Sequence, residues 1–354
     1  MFNCHEDVLA YHNDEVTLPA SEQREMSKRR NATRDRLKNG LAKANKPAPI
    51  EFRSQGSYAM KTMVQHPERD YDIDDGVYFR KEDLVGARGA EMTALQARQM
   101  VRDAVDDGSF KSAPEVRNNC VRVYYEVGYW VDLPVYRRVT VKDGWGQESH
   151  HYELASTDWK RSDAREVTSW FEKQNELYSG DKDNGRQLRR VVREIKKYAR
   201  SRESWRKQIL SGFGITKLVT ECFRGNVPRE DQSLRDTMEA IRNRLNYNLV
   251  VEHPVTPGDK ITKGDDDPKA RFLRDRLSEA LTDLDPLFHS DCTREKALKC
   301  WDKVFATKFF SDRFAAEKKA DAVAAPAVLT SGLIRDHAAA AASAVRKEGG
   351  GRYA

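Results

Sequence analysis

Between Glu68 and Asp75 the chain sets five carboxylates in eight residues, and two of them, Asp72 and Asp74, stand at i and i+2 within DYDIDDGVYF. The Gly, Val, Tyr and Phe that close this run suit a strand better than a helix. On a strand, side chains two apart leave the same face, so Asp72 and Asp74 project together while Ile73 and Asp75 face the other way. Carboxylates that leave water need compensation, and the choices are a metal ion, basic partners or plain solvent. A parallel pair suits a divalent cation: Mg²⁺ prefers hard oxygen ligands and combines one or two carboxylates with water and substrate phosphates. Asp132 in YWVDLPVY offers a third acid, because it interrupts an otherwise apolar strand that a sheet could lay beside the first. Two metal ions about 3.5–4 Å apart on such acids activate a hydroxyl nucleophile and stabilise a leaving pyrophosphate. Gly56 and Ser57, just upstream, then gain a role. Glycine lets the backbone approach a triphosphate, serine adds a hydroxyl, and a helix starting there would aim free N–H groups at the anion.

These pieces, GS, then hDhD on a strand, then a third Asp on a later strand, resemble the polymerase-β-like nucleotidyltransferases. Within them the chain is similar to the bacterial cGAS/DncV-like nucleotidyltransferases (CD-NTases), which make cyclic oligonucleotide signals in anti-phage (CBASS) defence. The stretches that carry the resemblance are FRSQGSYAMKT at 52–62, DYDIDDGVYF at 70–79, YWVDLPVY at 129–136 and RRVVREIKKYA at 189–199, with the DIDDG form pointing to the dinucleotide-cyclising branch. The resemblance implies an α+β (mixed α/β) fold: a polymerase-β-like nucleotidyltransferase core, a mostly helical second domain, and an active site in the cleft between them. It implies Asp72, Asp74 and Asp132 as ligands of two Mg²⁺ ions, with Mn²⁺ as a substitute, and Gly56 and Ser57 as holders of the donor phosphates. Lys196, or Lys197 beside it, and Ser211 would also touch the triphosphate, and Arg122 would contact a base or phosphate in the acceptor pocket.

The implied activity joins two nucleoside triphosphates, ATP and GTP or others, into a cyclic dinucleotide of the cGAMP kind that signals to a downstream effector. A cyclic trinucleotide and a non-cyclising transfer to RNA or protein stay open, and RNA binding is not required. A non-catalytic nucleotide-binding scaffold fits less well, since all three carboxylates are retained. Met60 stands where relatives often carry an aromatic residue, so base choice is open. The tail EGGGRYA suits either disorder or attachment to targets by a ubiquitin-transfer-like enzyme, a partner that some such operons encode.

The rest of the chain must position these groups. Its 354 residues, 39% hydrophobic, can bury one large or two ordinary cores. No apolar run reaches the ~18–20 residues of a membrane span, and no signal peptide is evident, which predicts a cytoplasmic protein without a membrane partner. The five cysteines contain no CxxC pair and read as reduced thiols. A net charge of +6 is mild at this length, so it permits phosphate-bearing ligands without demanding a nucleic acid.

The pattern predicts a nucleotidyltransferase core with an N-terminal helix over 1–155, a helical domain over 156–325, and an Ala/Gly-rich tail over 326–354. Helices are expected near 21–45 and 88–106, and the β-like runs NCVRVYYEV and YWVDLPVYRRVTV are expected as antiparallel neighbours. In QLRRVVREIKKYAR, Leu188, Val191, Val192, Ile195 and Tyr198 share one helical face. The Lys and Arg residues of that helix then read as its solvated side, Asp70 and Asp75 as solvated or structural, and Asp265-Asp266-Asp267 as an exposed turn.

Overall fold

The computed structural model describes residues 1–68, 71–86, 89–125 and 128–322. The chain begins with helices α1 (His5–Tyr11) and α2 (Ala20–Lys43), then strand β1 (Glu51–Ser54), the short helix α3 (Gly56–Ala59), strand β2 (Tyr71–Arg80) and helix α4 (Ala94–Val105). Strands β3 (Glu115–Val116), β4 (Val121–Tyr125), β5 (Tyr129–Leu133), β6 (Val135–Lys142), β7 (Glu148–Ala155) and β8 (Trp159–Arg161) follow. The remainder is helical: α5 (Ala164–Tyr178), α6 (Gln187–Ala199), α7 (Gly212–Cys222), α8 (Glu230–Tyr247), α9 (Pro268–Leu284) and α10 (Arg294–Phe305). This is the mixed α/β core with a helical second half that the sequence predicts. Helix α4 starts later than its composition suggests because Thr93 and Gln96 close a reciprocal capping box there.

One mixed sheet runs in the order β3-β4-β5-β2-β6-β7-β8, with β1 added to β2. The run YWVDLPVYRRVTV is broken only at Pro134. Its two halves, β5 and β6, both lie parallel to β2 in one continuous register, Asp74 facing Asp132 and Val77 facing Val135. Strand β4 pairs antiparallel with β5, as expected, and sets Arg122 opposite Asp132.

The two faces of β2 have different fates. Val77 and Phe79 pack with Leu37 and Leu41 of α2 and with Ala97 and Val101 of α4. Asp75 lies on that same covered face and is fully buried, so it is structural rather than solvated. Its carboxylate takes Nε and Nη2 of Arg34 at 2.6 and 2.5 Å and the Ser54 hydroxyl at 3.0 Å. Asp72 and Asp74 emerge on the opposite face, which α2 and α4 leave open.

The second core joins α5 to α10 and includes Leu188, Val191, Val192, Ile195 and Tyr198 of α6. It also takes in Cys4, Val8, Tyr11 and Val16, so the first helix packs with the helical half rather than with the sheet. Two expectations are corrected here. Four cations of α6 are not part of a solvated side, because Arg189, Arg190, Arg193 and Lys196 are all buried and partnered inside the protein, while Lys197 is half-buried and Arg200 exposed. Asp267 is buried as well, since its carboxylate caps α9 by accepting the Lys269 and Ala270 N–H groups. No helix among the described residues is long and apolar enough to cross a membrane.

Candidate active site

Gln55, Gly56, Ser57, Asp72, Asp74, Lys196, Arg200, Gly212 and Phe213 line one cavity of about 420 Å³ between the sheet and the helical half. Five of the residues singled out in the sequence, Gly56, Ser57, Asp72, Asp74 and Lys196, therefore meet in one place. Asp132 and Arg122 stand beside this cavity on neighbouring strands, and Ser211 caps α7 at its edge by accepting the Gly214 N–H at 3.2 Å.

Backbone geometry explains why glycine is needed at 56. Its φ is +61°, and a Cβ there would stand 2.3 Å from Oδ2 of Asp74. The turn is held from below: Gln55 N–H donates to the Asp74 carbonyl at 2.8 Å, and its side chain bridges two stacked tyrosines. Nε2 of Gln55 donates to Tyr78 at 3.0 Å, and the Tyr136 hydroxyl donates to Oε1 of Gln55 at 3.1 Å. The room for that amide is made by Gly76, where a Cβ would come within 2.1 Å of Nε2. Gln55 and Gly76 thus fix the Gly-Ser turn against the acid strand, a role that QGS and DDG carried in the sequence without announcing it.

The acids form a site short of positive charge. Burial first, then Asp72 and Asp132, push the Asp74 carboxyl up to about 7. Burial also raises Asp72, although the Arg200 guanidinium pulls it back. Asp132 is engaged by Arg122 through two hydrogen bonds, Nε at 2.7 Å and Nη2 at 2.6 Å, while that guanidinium lies over the Trp130 ring. Among the described residues no three His, Cys, Asp or Glu side chains close on one point as a finished metal cage. The donor set nevertheless fits Mg²⁺: two parallel carboxylates with a third on the facing position, all oxygen, with excess negative charge where a divalent ion would neutralise it.

Lys196 faces the acids from α6. Burial, with help from Arg200 and Arg193, lowers its ammonium to about 7, and its Nζ donates to the Thr62 hydroxyl at 2.9 Å. Sequence reading missed Arg200 and Phe213 as well as Gln55. Arg200 lies one turn beyond Lys196, a spacing that could have flagged it. Phe213 carried no signal.

A sheet that presents paired acids beside a Gly-Ser turn, closed by a helical half, is an arrangement suited to binding a divalent ion and a nucleotide's phosphates. Residues 50–136 match the family model described as "Cyclic GMP-AMP synthase DncV-like, nucleotidyltransferase domain", so the chain carries a DncV-like nucleotidyltransferase domain. Three solved structures extend the likeness over the helical half. Vibrio cholerae DncV cyclic AMP-GMP synthase in complex with the linear intermediate 5' pppA(3',5')pG is 17% identical, with a TM-score of 0.66 over 86% of this chain and 96% of that one. Escherichia coli DncV in its 3'-deoxy GTP bound form is 16% identical, with a TM-score of 0.63 over 84% and 93%. Escherichia coli MS115-1 CdnC, in complex with HORMA-deltaN, is 17% identical, with a TM-score of 0.59 over 85% and 96%. At these identities the likeness establishes the fold, that of the DncV-like cyclic dinucleotide synthases.

Proposed function

We propose that this nucleotidyltransferase joins two nucleoside triphosphates and then closes the linear product into a cyclic dinucleotide of the cGAMP kind, as a second messenger of anti-phage defence read by a downstream effector. The observation that supports it most is the shared cavity of Gly56, Ser57, Asp72, Asp74 and Lys196. Asp72, Asp74 and Asp132 would hold Mg²⁺, which when bound neutralises developing charge on the phosphates and lowers the pKa of the attacking hydroxyl.

The chain's own groups do the rest. The Gly56 backbone and Ser57 hydroxyl bind the donor phosphates, with Gly212 at the start of α7 on the far wall. Lys196 and Arg200 bring cations to the same wall, and the arriving anion favours the protonated form of a lysine that burial otherwise discharges. The apolar end of the cavity, Ala164, Val167 and Phe213, excludes water from a bound base. Arg122 contacts the acceptor nucleotide once it is released from Asp132. Holding the linear intermediate in the same cleft turns the second step into an oriented intramolecular one, where proximity contributes most.

Pyrophosphate counting tests this reading. With no RNA or protein acceptor present, cyclisation releases one pyrophosphate for every nucleotide incorporated, whereas a linear dinucleotide releases one for every two. The first ratio supports the proposal and the second removes ring closure from it. The proposed conjugation of the C-terminal tail concerns residues outside those described.

A further inference from the structure

The four-residue helix α3 that carries Ser57 is too short to hold itself together in water. It ends in a Schellman-type cap, with Thr62 N–H donating to the Ser57 carbonyl at 2.8 Å and Lys61 N–H to the Tyr58 carbonyl at 3.1 Å. Such a cap needs a residue in the left-handed region, normally glycine, and here that residue is Lys61 with φ +54°. A non-glycine residue pays a steric cost for that conformation, because its Cβ crowds the following carbonyl oxygen. Something outside the turn must hold it.

Helix α6 supplies the hold. Nε of Arg189 donates to the Met60 carbonyl at 3.1 Å, Nε of Arg193 to the Lys61 carbonyl at 2.8 Å, and Nζ of Lys196 to the Thr62 carbonyl at 3.3 Å. Positions 189, 193 and 196 follow the i, i+4, i+7 spacing of one helix face, so three buried cations meet three successive carbonyls. Arg189 is itself fixed by a two-pronged contact of its Nη2 with Glu172 of α5, at 2.6 and 2.5 Å. Among the described residues Arg193 makes no ion pair, and its directional contact with the turn is the Nε–H on Lys61.

We infer that Arg193 is a positioning residue, which holds the Gly56–Ser57 phosphate-binding turn in its working conformation through the Nε hydrogen bond to the Lys61 carbonyl and thereby ties nucleotide binding to the helical half. The inference rests on the reading of this cleft as the donor nucleotide site. Its chemistry separates a placed donor from a mere charge. Glutamine sets its amide nitrogen where arginine has Nε and carries no charge, whereas methionine fills similar space with no donor.

The test compares Arg193→Met with Arg193→Gln in the full chain, by amide hydrogen exchange over residues 55–64 without nucleotide and by steady-state turnover. Arg193→Met should raise exchange of the Thr62 amide at least tenfold while β2 amides keep their protection. It should raise the nucleotide KM about tenfold with kcat within about threefold, and Arg193→Gln should recover most of both losses. Arg193→Lys, which keeps the charge but puts a methylene where arginine has Nε, should loosen the same amides and decides the matter if Arg193→Met does not fold. Equal losses in Arg193→Met and Arg193→Gln, or unchanged exchange at 55–64 in Arg193→Met or Arg193→Lys, would overturn the inference. The exchange readout needs no turnover, so failure of the cyclase reading would show separately, as absence of product from the unsubstituted protein.

Discussion

Arg122 and Asp132 face each other across the β4–β5 pair and are locked by two parallel hydrogen bonds of 2.7 and 2.6 Å. The third acid of the site thus carries its own counter-ion, while Asp74, its neighbour on β2, has none of comparable strength. Without metal the arginine does part of the work of a cation. Removing it should cost stability on the order of 1–3 kcal/mol, less than the ~3–5 kcal/mol for a fully buried pair because the arginine is partly exposed and screened by solvent. Arg122→Gln should therefore melt lower than the unsubstituted protein in EDTA and gain more from added Mg²⁺. Thermal melts with and without 10-fold steps of Mg²⁺ check this, and equal Mg²⁺ gains in both proteins would count against it.

The pH dependence of stability follows from Asp74. An unfolded aspartate releases its proton near the ordinary value of 3.8, whereas the folded one holds it to about 7. Between those values the folded state binds the extra proton, so the contribution of Asp74 to stability is full below about 4 and is lost as pH rises through about 7. His12 acts in the opposite direction, because burial and then Arg193 hold its imidazole down to about 3. Comparison with Asp74→Asn cancels His12 and isolates Asp74. In EDTA the two proteins should melt alike at pH 4, and the Asn variant should be the more stable at pH 8, by on the order of 2–4 kcal/mol. A gap that does not widen over this range would show that the carboxylate is already compensated.

Gly56→Ala should abolish most activity while leaving the sheet intact. The new Cβ meets Oδ2 of Asp74 at 2.3 Å in a left-handed backbone, so both the turn and the acid must move. The expected cost is about 1–3 kcal/mol in stability and at least 100-fold in kcat/KM, since misplacing reacting groups by about 1 Å costs that much. Circular dichroism melts and initial rates give both numbers, and an active Gly56→Ala protein would mean that the turn does not approach the phosphates.

Much of the site was legible because strands keep a period of two and a register of one. Asp72 and Asp74 had to share a face, and an acid inside the apolar run around Asp132 had to be explained. What stayed hidden was set by partners distant in sequence. Asp75 read as solvated or structural, but only the fold shows Arg34 of α2 waiting for it. The arginines of α6 read as a wet surface because a helical wheel cannot show that the carbonyls of 60–62 lie against it. Gln55 gave no signal, since its partners Tyr78 and Tyr136 come together only when β2 and β6 pair. Helix α1 looked like part of the first half by position and packs with the second by contact.

Ring formation from nucleoside triphosphates in this cleft is open to direct observation. The most direct measurement incubates the purified protein with all four labelled triphosphates and Mg²⁺ or Mn²⁺, adds phosphatase, and separates the products, with the Asp72→Ala/Asp74→Ala protein as control. A ring has no terminal phosphate, so the unsubstituted protein alone should make a labelled product whose mobility phosphatase leaves unchanged, and omitting one required triphosphate should abolish it. Label recovered only in a linear nucleotide, which phosphatase trims of its 5' phosphates and so shifts in mobility, or an equal product from the control, would contradict ring closure.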